Sequence, residues 1–115
     1  MAYDEELADR IADLLAGEPA LTEKRMFGGL AFLIGGNLAI AASGQGGLLV
    51  RADPAESERL VAETAAEVAV MRGREMPGWL RVDADAARVQ DELVRWVEIG
   101  AAAARALPAK VEKAR

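Results

Sequence analysis

The chain has 115 residues, a formal net charge of −5 and neither cysteine nor histidine. A second core would have too little surface to bury, so residues 1–115 read as one domain, with its core at about 3–108 and a basic tail at 109–115. The composition excludes disulfides, thiolate metal sites and the commonest general base, and the acidic balance argues against a generally nucleic-acid-binding surface.

The N-terminus, MAYDEELADR, is acidic where a secretory leader is basic and then apolar, so a cytoplasmic location is expected. Residues 4–17 are predicted helical, because Leu7, Ile11, Leu14 and Leu15 make one apolar stripe and Gly17 with Pro19 ends it. Glu6 and Arg10 are spaced to pair on its wet face. Residues 21–27 read as a first strand before a bend at Gly28-Gly29.

From Met26 to Val50 the chain runs for 25 residues without an ionisable side chain, seven of them glycine. Length alone admits a membrane helix, but so much glycine makes a poor one. The glycines fall in clusters, Gly28-Gly29, Gly35-Gly36-Asn37 and Gly44-Gln45-Gly46-Gly47, which supply the positive φ angles of tight turns. Between them LAFLI, LAIAAS and LLVR are strands of an antiparallel meander. A phosphate loop is also rejected, since strand-like Leu48-Leu49-Val50 follows the last cluster where a helix N-terminus is needed.

Asp53-Pro54-Ala55-Glu56 is a helix start with a cap, a proline at the first position and a glutamate placed to reach back; the helix runs to about Ala66. Val68-Ala69-Val70-Met71 is a strand, residues 72–78 a loop, and Trp79-Leu80-Arg81-Val82 another strand. Asp83 or Asp85 caps one closing helix, in which Leu93, Trp96, Val97, Gly100, Ala101, Ala104 and Leu107 keep helical spacing, Asp91 and Arg95 pair, and Pro108 stops the run. The order α-β-β-β-β-α-β-β-α predicts an α+β, two-layer domain: an antiparallel sheet, a meander of about four strands plus a hairpin, with three helices.

Strand parity places Leu30, Phe32, Ile34, Leu38, Ile40, Leu48 and Val50 on one face. The other carries Ala31, Leu33, Ala39, Ala41 and Leu49, smaller but still apolar, so a helix or a second copy of the chain is expected to cover it. Those five residues are the candidate self-association face, with a homodimer the expected assembly.

Residues 24–29, Lys-Arg-Met-Phe-Gly-Gly, with the Gly-Asn hairpin, Gly47 to Arg51, the block from Arg72 to Val82 and the helix bearing Trp96, make the chain similar to the N-terminal domain of the TfoX/Sxy family over about residues 3 to 108. The resemblance implies a two-layer fold like that of secretion chaperones and a role in regulating transcription and competence in bacteria. Competence-named members continue into a helical C-terminal domain; this sequence stops at Arg115, so the N-terminal domain alone is expected. The family offers no catalytic residues to carry over.

Ser43 has no histidine to activate it and reads as a turn serine. Asp83 and Asp85 read as caps rather than a metal site, and Trp79 and Trp96 as core. No catalytic residue, cofactor or metal is expected. The basic residues are the remaining candidates. Residues 21–52 and 68–82 hold Lys24, Arg25, Arg51, Arg72, Arg74 and Arg81 against Glu23 and Glu75, six against two, a net of +4 that leaves −9 for the rest. Pairing with the acidic helices is the plain reading of this set, and a convergent anion site the sharper one. The chain is therefore expected to be a non-enzymatic regulatory domain with a protein partner; the alternative is a binder of a small anionic ligand or a nucleic-acid backbone.

Overall fold

Asp4 opens helix α1 (Glu5–Leu14): its carboxylate accepts the Leu7 N–H at 3.1 Å, and Leu7, Ile11 and Leu15 turn inward. The computed structural model describes residues 3–26, 28–64 and 66–108; the side chain of Met71, the expected basic tail at 109–115 and Phe27 of the Met-Phe-Gly-Gly block lie outside what is described. After α1 the glycine-punctuated run forms β1 (Leu21–Met26), β2 (Gly29–Ile34), β3 (Asn37–Ala42) and β4 (Leu48–Arg51), the antiparallel meander its turns require. Helix α2 (Pro54–Glu63) begins where Asp53 accepts the Ala55 N–H at 2.9 Å, but Glu56 does not reach back and instead pairs with Arg59 at 2.6 Å.

The second half of the chain departs from expectation. Residues 72–78 are not a loop. Arg72 and Gly73 alone turn the chain, with φ of 55° and 77°, between β5 (Glu67–Met71) and the nine-residue β6 (Arg74–Val82). Pro77 and Gly78 are absorbed inside β6, where its pairing with β5 slips between Val68 and Val70 and Gly78 takes a φ of 87°. The closing helix is two helices, α3 (Ala84–Arg88), capped by Asp83, and α4 (Gln90–Arg105), separated by Val89 in an extended conformation. Arg10 spans that break, donating to the Arg88 carbonyl at 3.0 Å and to Gln90 Oε1 at 2.6 Å rather than pairing with Glu6. Among the described residues Asp91 and Arg95 are likewise not within ion-pair distance.

All six strands share one antiparallel sheet in the order β1-β2-β3-β4-β6-β5, so the second hairpin adds to β4 through its later strand. The helices contribute to a single core on one face, with Trp96, Phe32, Ile40, Leu48, Leu80 and Leu93 fully enclosed. A bulge decides which side chains reach that core. Leu33 of β2 stands opposite Leu38, while Phe32 stands opposite Ile40, so Ala39 is an extra residue in β3. Ala39 and Ile40 both face the helices, and Leu38 is turned to the other side. The strict alternation that placed Leu38 among the large residues and Ala39 on the opposite face is reversed at these two positions.

The bulge brings the Ala39 carbonyl up to α4. A Cβ on Gly100 would lie 2.2 Å from that oxygen, so glycine is the only residue that lets α4 sit this close. Gly100→Ala is expected to destabilise the domain by roughly 1–3 kcal/mol or more, because backbone rather than a flexible side chain must give way. Gly17→Ala, where an added Cβ meets nothing within 4 Å, should stay within about 0.5 kcal/mol of the parent, and thermal unfolding of the pair checks both.

Acid sensitivity is expected at Asp4. The Leu7 N–H first, and the Arg88 guanidinium at 3.0 Å second, hold its carboxyl below its ordinary value. Glu18 is lowered in the same way, chiefly by hydrogen bonding to Arg105. Groups whose folded value is lowered stabilise the fold above their unfolded value and lose that contribution as pH falls through the folded one. Stability should therefore decline as the medium is acidified through and below the ordinary carboxylate range. Asp4→Ala should cost about 1 kcal/mol at neutral pH and make the decline shallower, read from urea unfolding at a series of pH values.

Candidate functional site

The second face of the sheet has its own apolar cluster, and every member is a strand residue: Ala31, Ala41, Leu49 and Ala69 buried, with Met26, Leu33, Leu38 and Trp79 half-buried around them. No helix residue among those described belongs to it. The sheet itself provides the burial. In a flat sheet five strand spacings of about 4.8 Å would set β1 and β5 about 24 Å apart. Yet Met26 of β1 and Val70 of β5 line one hollow of about 250 Å3, so the sheet curls away from the helices. Alanine and glycine at the centre of the curl let the flanking strands close in, and the larger residues form the walls.

Met26, Leu38 and Leu49 are shared with a second hollow of about 480 Å3, which continues to Leu33, Met76 and Trp79. The two make one groove across the concave face. Its far end is closed by the segment after α4: Leu107 lines it, and buried Asn37 donates from Nδ2 to the Pro108 carbonyl at 2.9 Å. Trp79 is held by the bulge in β6, where the Gly78 N–H donates to Ser57 Oγ at 2.9 Å and the Ala52 N–H to the Gly78 carbonyl at 2.8 Å.

The six basic residues divide. Arg72 and Arg81 line one end of the groove and Arg51 the other. Lys24 pairs in register with Ala31 and is on the groove side of edge strand β1, whereas Arg25 pairs with Leu30 and is on the helix side. Arg74 is exposed at the start of β6 and lines neither hollow. Pairing with acidic helices does not account for this set. Among the described residues the ion pairs are made by Arg59, Arg88 and Arg105.

Each groove arginine has a distinct setting. The Arg51 guanidinium lies 4.8 Å from the centre of the Trp79 ring, its direct cross-strand partner, in a cation–π contact. Arg81 donates to Ser43 Oγ at 3.3 Å, and that oxygen also accepts the Gln45 N–H at 3.1 Å, which makes Ser43 the turn serine its sequence context suggested. Arg72 stands in the two-residue turn at the rim. Glu67 is opposite Arg81 in register, but the two are not within ion-pair distance among the described residues.

Among the described residues the groove offers an apolar floor, three guanidinium groups and no carboxylate in its lining. Among the described residues no group of three or more carboxylates is placed to hold a metal ion. Of the sequence-predicted face, Ala31, Leu33, Ala41 and Leu49 are on the groove side and Ala39 is not. The sequence reading missed Met26, Leu38, Met76 and Trp79. Trp79 was legible in principle, since two residues before Arg81 in a strand share its face.

A family model for the TfoX N-terminal domain matches residues 13–104. No curated protein matches the chain. No helix among the described residues is long and apolar enough to cross a membrane.

Because Arg72 is exposed and Arg81 makes one long hydrogen bond, Arg72→Gln should change stability by about 0–1 kcal/mol and Arg81→Gln by about 1 kcal/mol. Urea unfolding of the single and double variants measures this; a much larger loss would place these arginines in a structural network.

Proposed function

The chain belongs to the TfoX N-terminal domain family, and from that membership and its open concave face we propose that it is a non-enzymatic regulatory domain that works by docking a segment of a protein partner. The observation that carries this reading is an apolar strand face lined from all six strands, with every described helix packed on the opposite side. Covering on the order of 200 Å2 of apolar surface there is worth at most about 5 kcal/mol at roughly 25 cal/mol per Å2, before the costs of association. Methionines at positions 26 and 76 let the walls adapt to the occupant. The family relation supports control of transcription or competence as the process served, and a cytoplasmic site of action.

A second copy of the chain is the alternative occupant. Two hollows do not fill one another, and a two-fold pairing would set Arg51, Arg72 and Arg81 against the same residues of the copy. Sedimentation at high micromolar concentration is therefore expected to show a monomer. A dimer dispersed by Leu38→Asp would give this face to self-association instead. In the native host, regulatory output lost on deletion should be restored by the parent chain and not by Leu38→Asp, with both proteins folded to the same extent. Equal rescue by the two would remove the groove from the function.

A further inference from the structure

We propose that the segment docked in the groove is acidic and amphipathic, its apolar side on the Leu38–Leu49–Trp79 floor and its carboxylates on Arg51, Arg72 and Arg81. This inference rests on the docking reading above and adds the chemistry of the partner. Charge complementarity is the first argument. Among the described residues the lining holds three arginines and no acid, in a chain whose net charge is −5. The nearest acids in register, Glu67 opposite Arg81 and Glu75 opposite Val70, are exposed and outside the lining. Arg51, held 4.8 Å from the centre of the Trp79 ring, offers the planar guanidinium that takes a carboxylate bidentately, the geometry that distinguishes arginine from lysine.

The second argument is conformational and independent of the first. Arg72 occupies the first central position of a two-residue hairpin turn with φ of 55°, a place where asparagine or glycine is favoured and a long side chain is not. It makes none of the hydrogen bonds or ion pairs found among the described residues that would compensate. A residue kept against local preference, and aimed at the rim of an apolar groove, points to a contact outside the chain. A nucleic-acid backbone fits less well, because the described floor between the arginines is aliphatic and Trp79, the aromatic ring among the described lining residues, already carries Arg51.

The test uses the full chain and three labelled synthetic helical peptides sharing one apolar face, with polar positions all glutamate, all glutamine or all lysine, plus a single-stranded oligonucleotide. Anisotropy gives affinity. Trp79 emission reports occupancy of the groove, since Trp96 is only 1% exposed. The glutamate peptide should bind at least about tenfold tighter than the other two, shift Trp79 emission, and weaken as salt rises. Arg51→Gln and Arg81→Gln should each weaken it by about three- to tenfold. Arg72→Asn should weaken it similarly while raising Tm by a few degrees, which separates lost contact from lost folding. Equal or tighter binding of the glutamine or lysine peptide overturns the acidic assignment and leaves the docking reading standing. Failure of all three peptides to bind overturns both. Tighter binding of the oligonucleotide overturns the assignment in favour of a nucleic-acid backbone.

Discussion

The contact between the Ala39 carbonyl and the bare face of Gly100 sets the rest of the architecture. With no side chain at Gly100, α4 settles directly on β3, and Trp96, Val97, Ala101 and Ala104 fill the space beside it. The bulge at Ala39 also sends two successive residues, Ala39 and Ile40, toward the helices. α4 is the longest helix, at 16 residues, and the others arrange around it on the same side. One crowded layer results, and the opposite face of the sheet is left to the strands alone.

That asymmetry is matched by the charges. Glu5, Glu6, Asp9 and Asp13 of α1, Glu56, Glu58 and Glu63 of α2, and Asp91, Glu92 and Glu98 of α4 put the acids on the helical layer. Arg51, Arg72 and Arg81, which make no ion pair among the described residues, line the groove, while Arg10, Arg25 and Arg95 stay on the helical side. Separation of this kind costs little in folding, since exposed charges interact weakly, but it gives the domain two sides of opposite sign. An acidic partner is repelled from the helices and drawn to the groove, so orientation is selected before contact.

The curl of the sheet is what turns an apolar face into a site. Ala31, Ala41 and Ala69 are nearly inaccessible although no described helix covers them, because Met26, Leu33, Leu38 and Trp79 rise on either side. A flat sheet with the same residues would present a broad adhesive surface; a curled one presents a slot with defined ends. At one end Arg81, Ser43 and Arg72 are polar, and at the other Arg51 and Trp79 combine charge with a ring face.

By itself the sequence determined the α+β class, the meander, the helix starts near Asp4, at Asp53 and at Asp83 or Asp85, and the inward stripe of α4. These depend on local chemistry: glycine clusters that permit positive φ, carboxylates that cap N–H groups, and apolar spacing along one element. It also determined that the second face is apolar and that arginine is concentrated in two blocks. Local patterns could not show the bulge at Ala39, because one extra residue in β3 is fixed by its pairing with β2 and its packing on Gly100. Nor could they show the break at Val89, since it is held by Arg10, which is about eighty positions away in the chain. Only the tertiary structure decided that Arg51, Arg72 and Arg81 meet one groove while Arg25 and Arg74 do not. Residues from β4, the β5–β6 turn and β6 become neighbours through strand order and sheet curvature, and both are properties of the whole sheet rather than of any one strand.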